Sequence, residues 1–279
     1  MLKIFRSIKE FELARNNLKD LSYVPTMGNL HKGHISLIDL AKNYKNKIIS
    51  TIYINPLQFN DKNDFQKYPK TLDRDIELLS ENGCDYLLIP DDSILDGIKQ
   101  IKAPLKLANK LCGLNRPGHF DGVLTILNRL FKIVRPQMVV FGKKDYQQLI
   151  IVKDFIESNN LPIIVKSSEI IRDEDGLALS SRNNLLTSND RAAATDIYKA
   201  LKKYETFRQC INPDDFKSHI NFLEDVKGKF SLNVDYLVSC DKESLDISYD
   251  IDKKDLLIAI AVTTVGGVRL IDNIEVKKL

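Results

Sequence analysis

Apolar and polar positions along residues 1–172 alternate in a way that predicts strands separated by helices. Short apolar runs, several of them rich in β-branched residues, predict five strands at 21–24, 48–54, 86–89, 138–141 and 163–165. Apolar positions at helical spacing predict the helices between them, over 35–44, 71–81, 122–134 and 147–158. This alternation is typical of an α/β fold in which helices cover a parallel sheet, where ligands collect at the carboxyl ends of the strands.

The pattern changes after about residue 172. Helical spacing covers 190–207 and 214–226, and apolar runs at 234–239, 256–262 and 268–271 predict short strands, the last one after a turn at Gly266 and Gly267. This part predicts a smaller α+β domain of roughly a hundred residues, which is enough for an independent unit. We therefore divide the chain into domains at 1–172 and 173–279, and we expect the charged stretch 241–255 to be a solvated loop or sheet edge.

Composition limits the class of protein. The 279 residues are 43% hydrophobic and 28% charged, as in ordinary globular proteins, and a net charge of +3 argues against a general nucleic-acid binder. No apolar run approaches the ~18 residues of a membrane helix, and the N-terminus lacks the apolar core of a signal peptide. The four cysteines are far apart in sequence, so we expect buried free thiols in a cytoplasmic protein and no zinc or redox site.

Residues 25–38 carry the strongest chemical signal. They read Pro-Thr-Met-Gly-Asn-Leu-His-Lys-Gly-His-Ile-Ser-Leu-Ile and lie between a predicted strand and a predicted helix. A glycine-rich turn in that position lets backbone N–H groups and a helix N-terminus face a phosphate, and Gly28 and Gly33 allow close backbone approach. His31 and His34 are three residues apart, so both can donate hydrogen bonds to one anion. The alternative is a tight turn with two solvated histidines.

A second signal lies on the loop after the strand 48–54. Asn55 and Pro56 end this strand, so Gln58 projects from a loop at its carboxyl end. The amide of Gln58 can both donate and accept hydrogen bonds, which suits a small polar substrate with hydroxyls and a carboxylate. The alternative is a loop whose polar side chains only stabilise the loop itself.

Residues 115–122 read Asn-Arg-Pro-Gly-His-Phe-Asp-Gly and end at a predicted helix start. Arg116 and His119 contact a substrate or phosphate in a functional interpretation, and they stabilise a buried hydrogen-bonded turn in a structural one. We expect a mixture of the two, with direct catalysis the lesser part. Asp121 is a candidate N-cap of the following helix.

The segment after the fourth predicted strand reads Gly-Lys-Lys-Asp-Tyr-Gln-Gln. Gly142 permits close approach, and Lys144 reaches a phosphate as a point charge, whereas two adjacent lysines can also be a solvated surface pair. Because of its place at the strand end, we expect Lys144 and not Lys143 to be the functional lysine. Asp145 accepts from a ribose hydroxyl or caps the next helix, and Gln148 lies one helical turn beyond Lys144.

Residues 172–183 read Arg-Asp-Glu-Asp-Gly-Leu-Ala-Leu-Ser-Ser-Arg-Asn. Ser180, Ser181 and Arg182 offer two hydroxyls and a guanidinium, which complement a triphosphate, although such a tripeptide also occurs in plain loops. Asp175 and Gly176 form a turn where the pattern of the sheet ends. We expect this turn to be a hinge, with Ser180 to Arg182 reaching the phosphates only when the second domain closes as a lid.

Together these segments closely resemble the pantothenate synthetase (pantoate–β-alanine ligase) family, in the same order along the chain. The shared motifs are Pro-Thr-Met-Gly-x-Leu-His-x-Gly-His at 25–34, Asn-Pro-x-Gln-Phe at 55–59, Arg-Pro-Gly-His-Phe-Asp-Gly-Val at 116–123, Phe-Gly-x-Lys-Asp-x-Gln-Gln at 141–148 and Gly-Leu-Ala-x-Ser-Ser-Arg-Asn at 176–183. Residues 68–72 and 269–273 also resemble the family. The resemblance spans nearly the whole chain, with a looser match in the C-terminal third.

The resemblance implies a Rossmann-like nucleotidyltransferase domain followed by a small C-terminal α+β lid domain. It implies an ATP-dependent ligase in which pantoate attacks the α-phosphate of ATP, giving pantoyl adenylate and pyrophosphate. β-Alanine then attacks the acyl carbon, giving pantothenate and AMP. Mg²⁺ accompanies the ATP, no nucleic acid or membrane takes part, and family members are usually homodimers.

The resemblance also implies site residues. Gln58 and Gln148 hold pantoate, with Gln58 also near β-alanine, and His34 is the residue usually assigned as proton donor. The further catalytic residues are His31, Lys144 and Arg182, while the metal ligands are unknown. ATP is bound by residues of three segments: Met27, Gly28, Asn29, Leu30, His31, Lys32, Gly33 and His34; Gly142, Lys143, Lys144 and Asp145; and Ile171, Leu179, Ser180, Ser181 and Arg182. Many relatives have Glu at the position of Lys143. The lysine in this chain is a surface change, makes a tighter contact with the polyphosphate or alters a local salt bridge.

Two other classes of protein share part of this pattern. A nucleotidyltransferase that joins a nucleotide to a phosphate ester has similar histidine and serine–arginine loops, and it stops after releasing pyrophosphate. A non-enzymatic nucleotide-binding module needs only the glycine turn. Gln58 and Gln148 discriminate, because a simple nucleotide binder has no use for a neutral hydroxy-acid site. The cationic side chains and the N–H donors of the turns can position a substrate and neutralise its charge, and no Ser-His-Asp arrangement is evident. Catalysis through a covalent enzyme intermediate is therefore a weaker hypothesis than catalysis by positioning and charge neutralisation.

Overall fold

The computed structural model describes residues 1–210, 215–248 and 255–276. Six strands of the N-terminal part form one parallel sheet in the order β1-β4-β3-β2-β5-β6. Their bounds are β1 Lys3–Phe5, β2 Leu21–Thr26, β3 Lys47–Ile52, β4 Tyr86–Leu88, β5 Met138–Gly142 and β6 Ile164–Ser168. The central strands are apolar and buried on both faces, as expected when helices cover a parallel sheet.

Eight helices connect and cover these strands. They are α1 Ile8–Arg15, α2 Lys32–Lys42, α3 Lys62–Lys67, α4 Leu72–Glu81, α5 Leu105–Ala108, α6 Leu111–Asn115, α7 His119–Val134 and α8 Tyr146–Ser158. Short 3₁₀ turns lie at Pro56–Gln58, Asp92–Leu95, Lys143–Asp145 and Ser181–Leu185. The apolar side of α7 packs with Tyr23 and Val139 in the largest core cluster, which anchors this helix to the sheet.

The strand order creates a crevice at the carboxyl ends of the strands. From β2 the chain proceeds to β3 and β4 on one side of the sheet, and later to β5 and β6 on the other. Connections that leave in opposite directions separate at such a switch point and leave room for a ligand. The loops after β2, β3, β5 and β6 therefore surround one opening.

The C-terminal part contains an antiparallel sheet of β7 Asn233–Asp241, β8 Leu256–Thr263 and β9 Arg269–Val276. The helices α9 Ser188–Ala194, α10 Asp196–Gln209 and α11 Phe216–Gly228 pack with one face of this sheet in a separate core. On the other face, Leu257 and Ala259 join the main core of the N-terminal part. The fold class predicted from the sequence is thus confirmed, while the domain boundary between 172 and 173 stays a prediction.

The predicted strands and helices occur with shifted ends, and five elements were not predicted: β1, α1, α3, α5 and α6. The single helix predicted at 190–207 is wrong, since the chain forms α9 and α10 with a break at Thr195. The Thr195 hydroxyl donates to the Ala192 carbonyl at 2.9 Å, a local bond that competes with helix hydrogen bonding. No helix in the described ranges is long and apolar enough to cross a membrane.

Three local expectations also change. Asp121 is not an N-cap, because α7 begins one turn earlier after Gly118, and the Asp121 carboxylate instead accepts from the Ala103 N–H at 2.9 Å. In the stretch 241–255, Asp241 and Leu245 are buried, so its first part is not a solvated loop, and residues 249–254 lie outside the described residues. Three of the four free cysteines are buried as expected, but the fourth is exposed: Cys84, Cys112 and Cys240 are buried, and Cys210 is exposed.

Candidate active site

A cavity of about 230 Å³ lies at the carboxyl ends of β2, β3, β5 and β6, and we call it the central cavity. Most of the candidate site residues named in the sequence analysis line it: Met27, His31, Gly33, His34, Gln58, Gly142, Lys144, Asp145, Gln148, Ile171, Leu179, Ser180, Ser181 and Arg182. Five of the candidate site residues lie outside this lining: Gly28, Asn29, Leu30, Lys32 and Lys143. The structure therefore brings segments that are more than a hundred residues apart in sequence to one opening.

The two histidines begin helix α2 and hold each other in place. The Nδ1 atom of His31 accepts from the Gly33 N–H at 3.1 Å, and the Nδ1 atom of His34 accepts from the His31 N–H at 3.3 Å. This is a reciprocal capping box built from two imidazoles, with ring centroids 4.1 Å apart. The turn is therefore not a loop with two solvated histidines.

This capping arrangement fixes the chemical form of both rings. Because each Nδ1 accepts a hydrogen bond, the proton of the neutral imidazole lies on Nε2, which is left as the donor for a ligand. Burial lowers the pKa of His31 to about 4, with a further lowering by Lys144 and an opposing effect of Asp145. Burial, then His31 and Lys144, lowers the pKa of His34 well below its usual range. At neutral pH both rings are uncharged hydrogen-bond donors.

A buried carboxylate holds the backbone before the histidines. Asp75 of α4 accepts from the N–H groups of Asn29 and Leu30, both at 2.8 Å, and it is almost fully buried. Gly28 and Asn29 have positive φ angles of 83° and 49°, so the chain reverses sharply at this point. Sequence reasoning placed Asp75 only within a helical pattern. The signal available was a carboxylate in the first turn of a helix on its buried side.

Lys144 and Lys143 have different surroundings. The Lys144 side chain lines the central cavity, and its Nζ lies 3.7 Å from a carboxylate oxygen of Asp145. The Lys143 ammonium instead forms ion pairs with Glu169 and Glu275, outside the cavity lining. The preference for Lys144 as the lysine that faces the site agrees with this placement, and the Lys143 side chain takes part in local salt bridges.

The Ser180–Arg182 segment already lies against the histidine turn. The Asn29 side chain donates to the Ser181 carbonyl at 2.9 Å, and the Ser181 hydroxyl donates to the Asn29 carbonyl at 3.1 Å. Arg182 is bound to Asp64 of α3 at 2.8 Å and lies over the ring of Tyr68. In the described structure these bonds place the segment at the site, and the expectation that it reaches the phosphates only when the second domain closes stays a prediction.

Gln58 lines the cavity from the loop that follows β3. The Asn55 side chain donates both to Gln58 Oε1 at 3.0 Å and to the Gly122 carbonyl at 3.1 Å. A Cβ atom on Gly122 would lie 2.1 Å from the Leu57 carbonyl oxygen, so only glycine lets α7 approach this turn so closely. Gln58 Nε2 lies 3.1 Å from the Met27 sulfur. The bonds of Asn55 and the close approach of α7 thus hold the loop in place, and the Gln58 amide lines the cavity.

Arg116 and His119 stabilise the same turn from the other side. The Gln58 carbonyl accepts from Arg116 at 3.0 Å, and His119 Nδ1 lies 2.7 Å from the same oxygen. Burial first, then Arg116, lowers the pKa of His119 to about 3, so this ring is neutral and donates to that carbonyl through Nδ1. Arg116 lines the central cavity and His119 does not. The mixed interpretation of this segment agrees with these positions.

An apolar wall completes the cavity, and sequence reasoning did not identify it as part of the site. Its residues lie along one side of α7 at helical spacing: Val123, Ile126, Leu127 and Leu130. Gln148 of α8 lines the cavity together with them. The spacing of the apolar residues was the available signal, but it is the same for a side of a helix that faces a cavity and one that faces a core.

The cavity lining combines two kinds of chemistry. A helix N-terminus, two neutral imidazole donors, a lysine and an arginine together suit a polyphosphate. Two neutral amides and an apolar wall suit a small hydroxy acid with an apolar body. No group of three or more His, Cys, Asp or Glu side chains that could hold a metal ion occurs among residues 1–210, 215–248 and 255–276.

This chain is similar to known proteins both in sequence and in structure. The family described as Pantoate-beta-alanine ligase matches residues 3–275. The pantothenate synthetase of Thiobacillus denitrificans is 38% identical over 278 residues, which cover 99% of this chain and 97% of that protein. The crystal structure of pantothenate synthetase from Thermus thermophilus has a TM-score of 0.91 at 33% identity, covering 99% of each chain. A pantoate-beta-alanine ligase from Francisella tularensis, crystallised with beta-gamma ATP and β-alanine, has a TM-score of 0.81 at 35% identity over 98% of this chain and 97% of that chain.

Proposed function

Because the chain belongs to the pantoate–β-alanine ligase family, we propose that it condenses pantoate with β-alanine at the expense of ATP, through a pantoyl adenylate. The observation that carries this proposal is the lining of the central cavity of about 230 Å³, where cationic side chains and imidazole donors occur together with two neutral amides and an apolar wall. An enzyme that joins an acid to a nucleotide needs both sets of groups in one cavity. A nucleotide-binding module needs only the first.

In the first step, a pantoate carboxylate oxygen attacks the α-phosphorus of ATP, and the bond to the bridging oxygen of pyrophosphate breaks. Negative charge spreads over the phosphate oxygens in this transition state. Lys144 and Arg182 neutralise that charge, while His31 and His34 donate from Nε2 and the α2 N-terminus adds backbone N–H groups. In this role His34 acts as a neutral hydrogen-bond donor, since burial lowers its pKa well below the usual range.

In the second step, the β-alanine amine attacks the acyl carbon of the adenylate, a C–N bond forms and AMP leaves. Gln58 and Gln148 hold the pantoyl group in place through both steps, so that only the incoming group changes. The adenylate is reactive toward water, and the apolar wall of α7 shields the side of the cavity on which the pantoyl group lies. Positioning and charge neutralisation carry the reaction, without a covalent enzyme intermediate.

We propose that ATP enters as its magnesium complex. Mg²⁺ in nucleotide sites is usually held by one or two carboxylates together with the phosphates and water. Asp145 fits that requirement, because its side chain is half-exposed and lines the cavity beside Lys144. Bound there, Mg²⁺ would add charge neutralisation on the polyphosphate.

We also propose that the enzyme is a cytoplasmic homodimer that acts on small molecules and binds neither nucleic acid nor membranes. The family resemblance supports the dimer, and the unpaired cysteines support a reducing compartment. Light scattering after size-exclusion chromatography tests the dimer directly. A mass of 31.9 kDa in solution would contradict it.

The catalytic proposal is tested by incubating the protein with ATP and pantoate, with and without β-alanine. Pyrophosphate release with pantoate, and AMP together with pantothenate only when β-alanine is added, is the expected result. A nucleotidyltransferase of another class would release no pyrophosphate with pantoate and would require a phosphate ester. A binding module would bind ATP and release nothing, and either outcome would contradict the proposal.

A further inference from the structure

The C-terminal sheet holds the backbone of the turn that carries Lys144. The side-chain amide of Asn273 in β9 donates to the carbonyls of Lys143 and of Lys144, both at 3.0 Å. Asn273 is buried, with 4% of its surface exposed, so water cannot replace these bonds. One side chain of the second sheet therefore fixes two consecutive carbonyls of a turn in the active site.

Asn273 is itself held rigidly. Its N–H donates to Asp272 Oδ1 at 2.7 Å, and its carbonyl accepts from Arg172 at 3.2 Å. The Arg172 guanidinium also binds both oxygens of Asp272, at 2.5 and 2.9 Å, and stacks on the ring of Tyr198. A donor held by its own backbone and by its neighbours transmits its position to whatever it binds.

The same strand also binds the turn through side chains. Glu275 lies two residues beyond Asn273, so both side chains leave β9 on the same face of the sheet. The Glu275 carboxylate pairs with the Lys143 ammonium and accepts from the Tyr146 hydroxyl at 3.4 Å. The 143–146 segment is thus tied to β9 at its backbone and at both of its ends.

The Lys144 side chain, by contrast, has little to restrain it. Its ammonium lies 3.7 Å from the Asp145 carboxylate, and no closer ion pair holds it in the part of the chain that the structure describes. The position of this cation in the cavity therefore depends on where the backbone of the turn lies. A displacement of about 1 Å in a catalytic group can lower a rate by ~10²-fold.

We propose that Asn273 is a positioning residue for adenylate formation, acting through Lys144. It touches no substrate, and its amide sets the backbone from which the Lys144 ammonium reaches the phosphates. The C-terminal sheet then contributes to the first chemical step without entering the cavity. This inference rests on the proposed function, in which Lys144 neutralises charge on ATP.

The test is a double-mutant cycle of Asn273→Ala and Lys144→Ala, with single-turnover pyrophosphate release as the measured rate. We expect N273A to lower the adenylation rate about tenfold or more in the wild-type background, while the dissociation constant of pantoate changes less than about twofold. In the K144A background the same substitution should change the rate by less than about twofold, because the group that it positions is absent. Equal factors in the two backgrounds would overturn the proposal.

Gln147→Ala is the matched control. Gln147 is equally buried, and its amide also donates to two backbone carbonyls, those of Leu107 and Lys110, at 2.8 and 2.7 Å. Q147A therefore removes the same kind of bonds without touching the 143–145 turn, and it should adenylate within about twofold of wild type. If Q147A slows adenylation as much as N273A, general loosening explains both and Asn273 has no positioning role.

Two additional measurements keep the result decisive. If N273A does not fold, as judged by circular dichroism, N273L fills nearly the same volume without a donor and takes its place in the cycle.

If the wild-type protein releases no pyrophosphate with pantoate, the proposed function fails separately, and the cycle is measured on the dissociation constant of ATP. Non-additive effects of the two substitutions on ATP binding would still support the positioning role, and additive effects would overturn it.

Discussion

Replacing Gly122 with alanine should move the turn that carries Gln58. The new Cβ would lie 2.1 Å from the Leu57 carbonyl oxygen, 2.4 Å from its carbon and 2.8 Å from the Gln58 nitrogen. All three are backbone atoms, so no side-chain rotation relieves the contact. Real Cβ atoms keep at least 3.0 Å from such neighbours, which requires a displacement of about 0.9 Å between α7 and the turn.

The size of the effect follows from this displacement. Forcing an extra methyl group into a packed interior costs about 1–3 kcal/mol, and the better helix propensity of alanine returns about 0.5–1 kcal/mol. The net loss is then at most about 2.5 kcal/mol, which lowers the melting midpoint by up to roughly 10 °C for a protein of this size. Because Gln58 would shift by nearly 1 Å, kcat/KM for pantoate should fall about 10–100-fold.

The assay measures initial rates against pantoate at saturating ATP and β-alanine, together with thermal unfolding. Gly228→Ala is the control, since it makes the same substitution in a helix at a position with no atom within 4 Å of the new Cβ. G228A should keep wild-type kinetics. The ATP dissociation constant should change less than about twofold in both variants, because the atoms nearest the new Cβ of G122A belong to Leu57 and Gln58 and none belongs to the histidine turn.

The reasoning fails if G122A retains the wild-type kcat/KM for pantoate while its melting midpoint falls. That outcome would mean that α7 moves as a whole and the turn stays in place. Equal losses for pantoate and ATP would also contradict it, since they would indicate a general loss of structure and no specific displacement of Gln58.

Three further predictions concern residues that line the cavity. His34→Ala should slow adenylation by ~10²-fold or more in single-turnover experiments, as for a lost donor to a charged transition state, and a near-wild-type rate would contradict the assignment. Gln58→Ala and Gln148→Ala should weaken pantoate far more than ATP, and Lys144→Ala the reverse, as measured by calorimetric titration; equal losses of ATP affinity in all three would exclude this division. The unfolded chain protonates His31 near pH 6.5 and the folded chain near pH 4, so stability falls as the pH decreases through that range. Between pH 7 and 5 the wild type should lose about 2 kcal/mol more than His31→Asn in urea unfolding, and equal losses would refute this pKa.

Periodicity predicted most of the first sheet because its strands are short apolar runs between long amphipathic helices. The strand β1 escaped prediction because its three residues, Lys3–Phe5, are too few to establish a period, and only Phe5 is buried. The break at Thr195 also escaped, because apolar spacing continues through it and only a local hydroxyl bond interrupts the helix. Such bonds leave no trace in a hydrophobic pattern.

The site was predictable where residue type and turn chemistry coincide, as at His31 and His34. Residues that act through tertiary contacts were not predictable. Asp75 binds the N–H groups of Asn29 and Leu30 across 46 and 45 positions of sequence, and Asn273 binds the 143–144 carbonyls across about 130. Neither contact follows from a local pattern, because the first depends on how α4 packs beside the turn after β2 and the second on how the two sheets meet.

The uneven exposure of the four cysteines gives the chain a built-in set of chemical reporters. Cys210 is open to a thiol reagent in the native state, whereas Cys84 beside the parallel sheet and Cys240 within the antiparallel sheet become reactive only when their surroundings open. After Cys210 has been blocked, the rates at which the remaining thiols react show which of the two sheets unfolds first. Thiol labelling can therefore show, without any amino-acid substitution, whether the two halves of the chain unfold as one cooperative unit or as two.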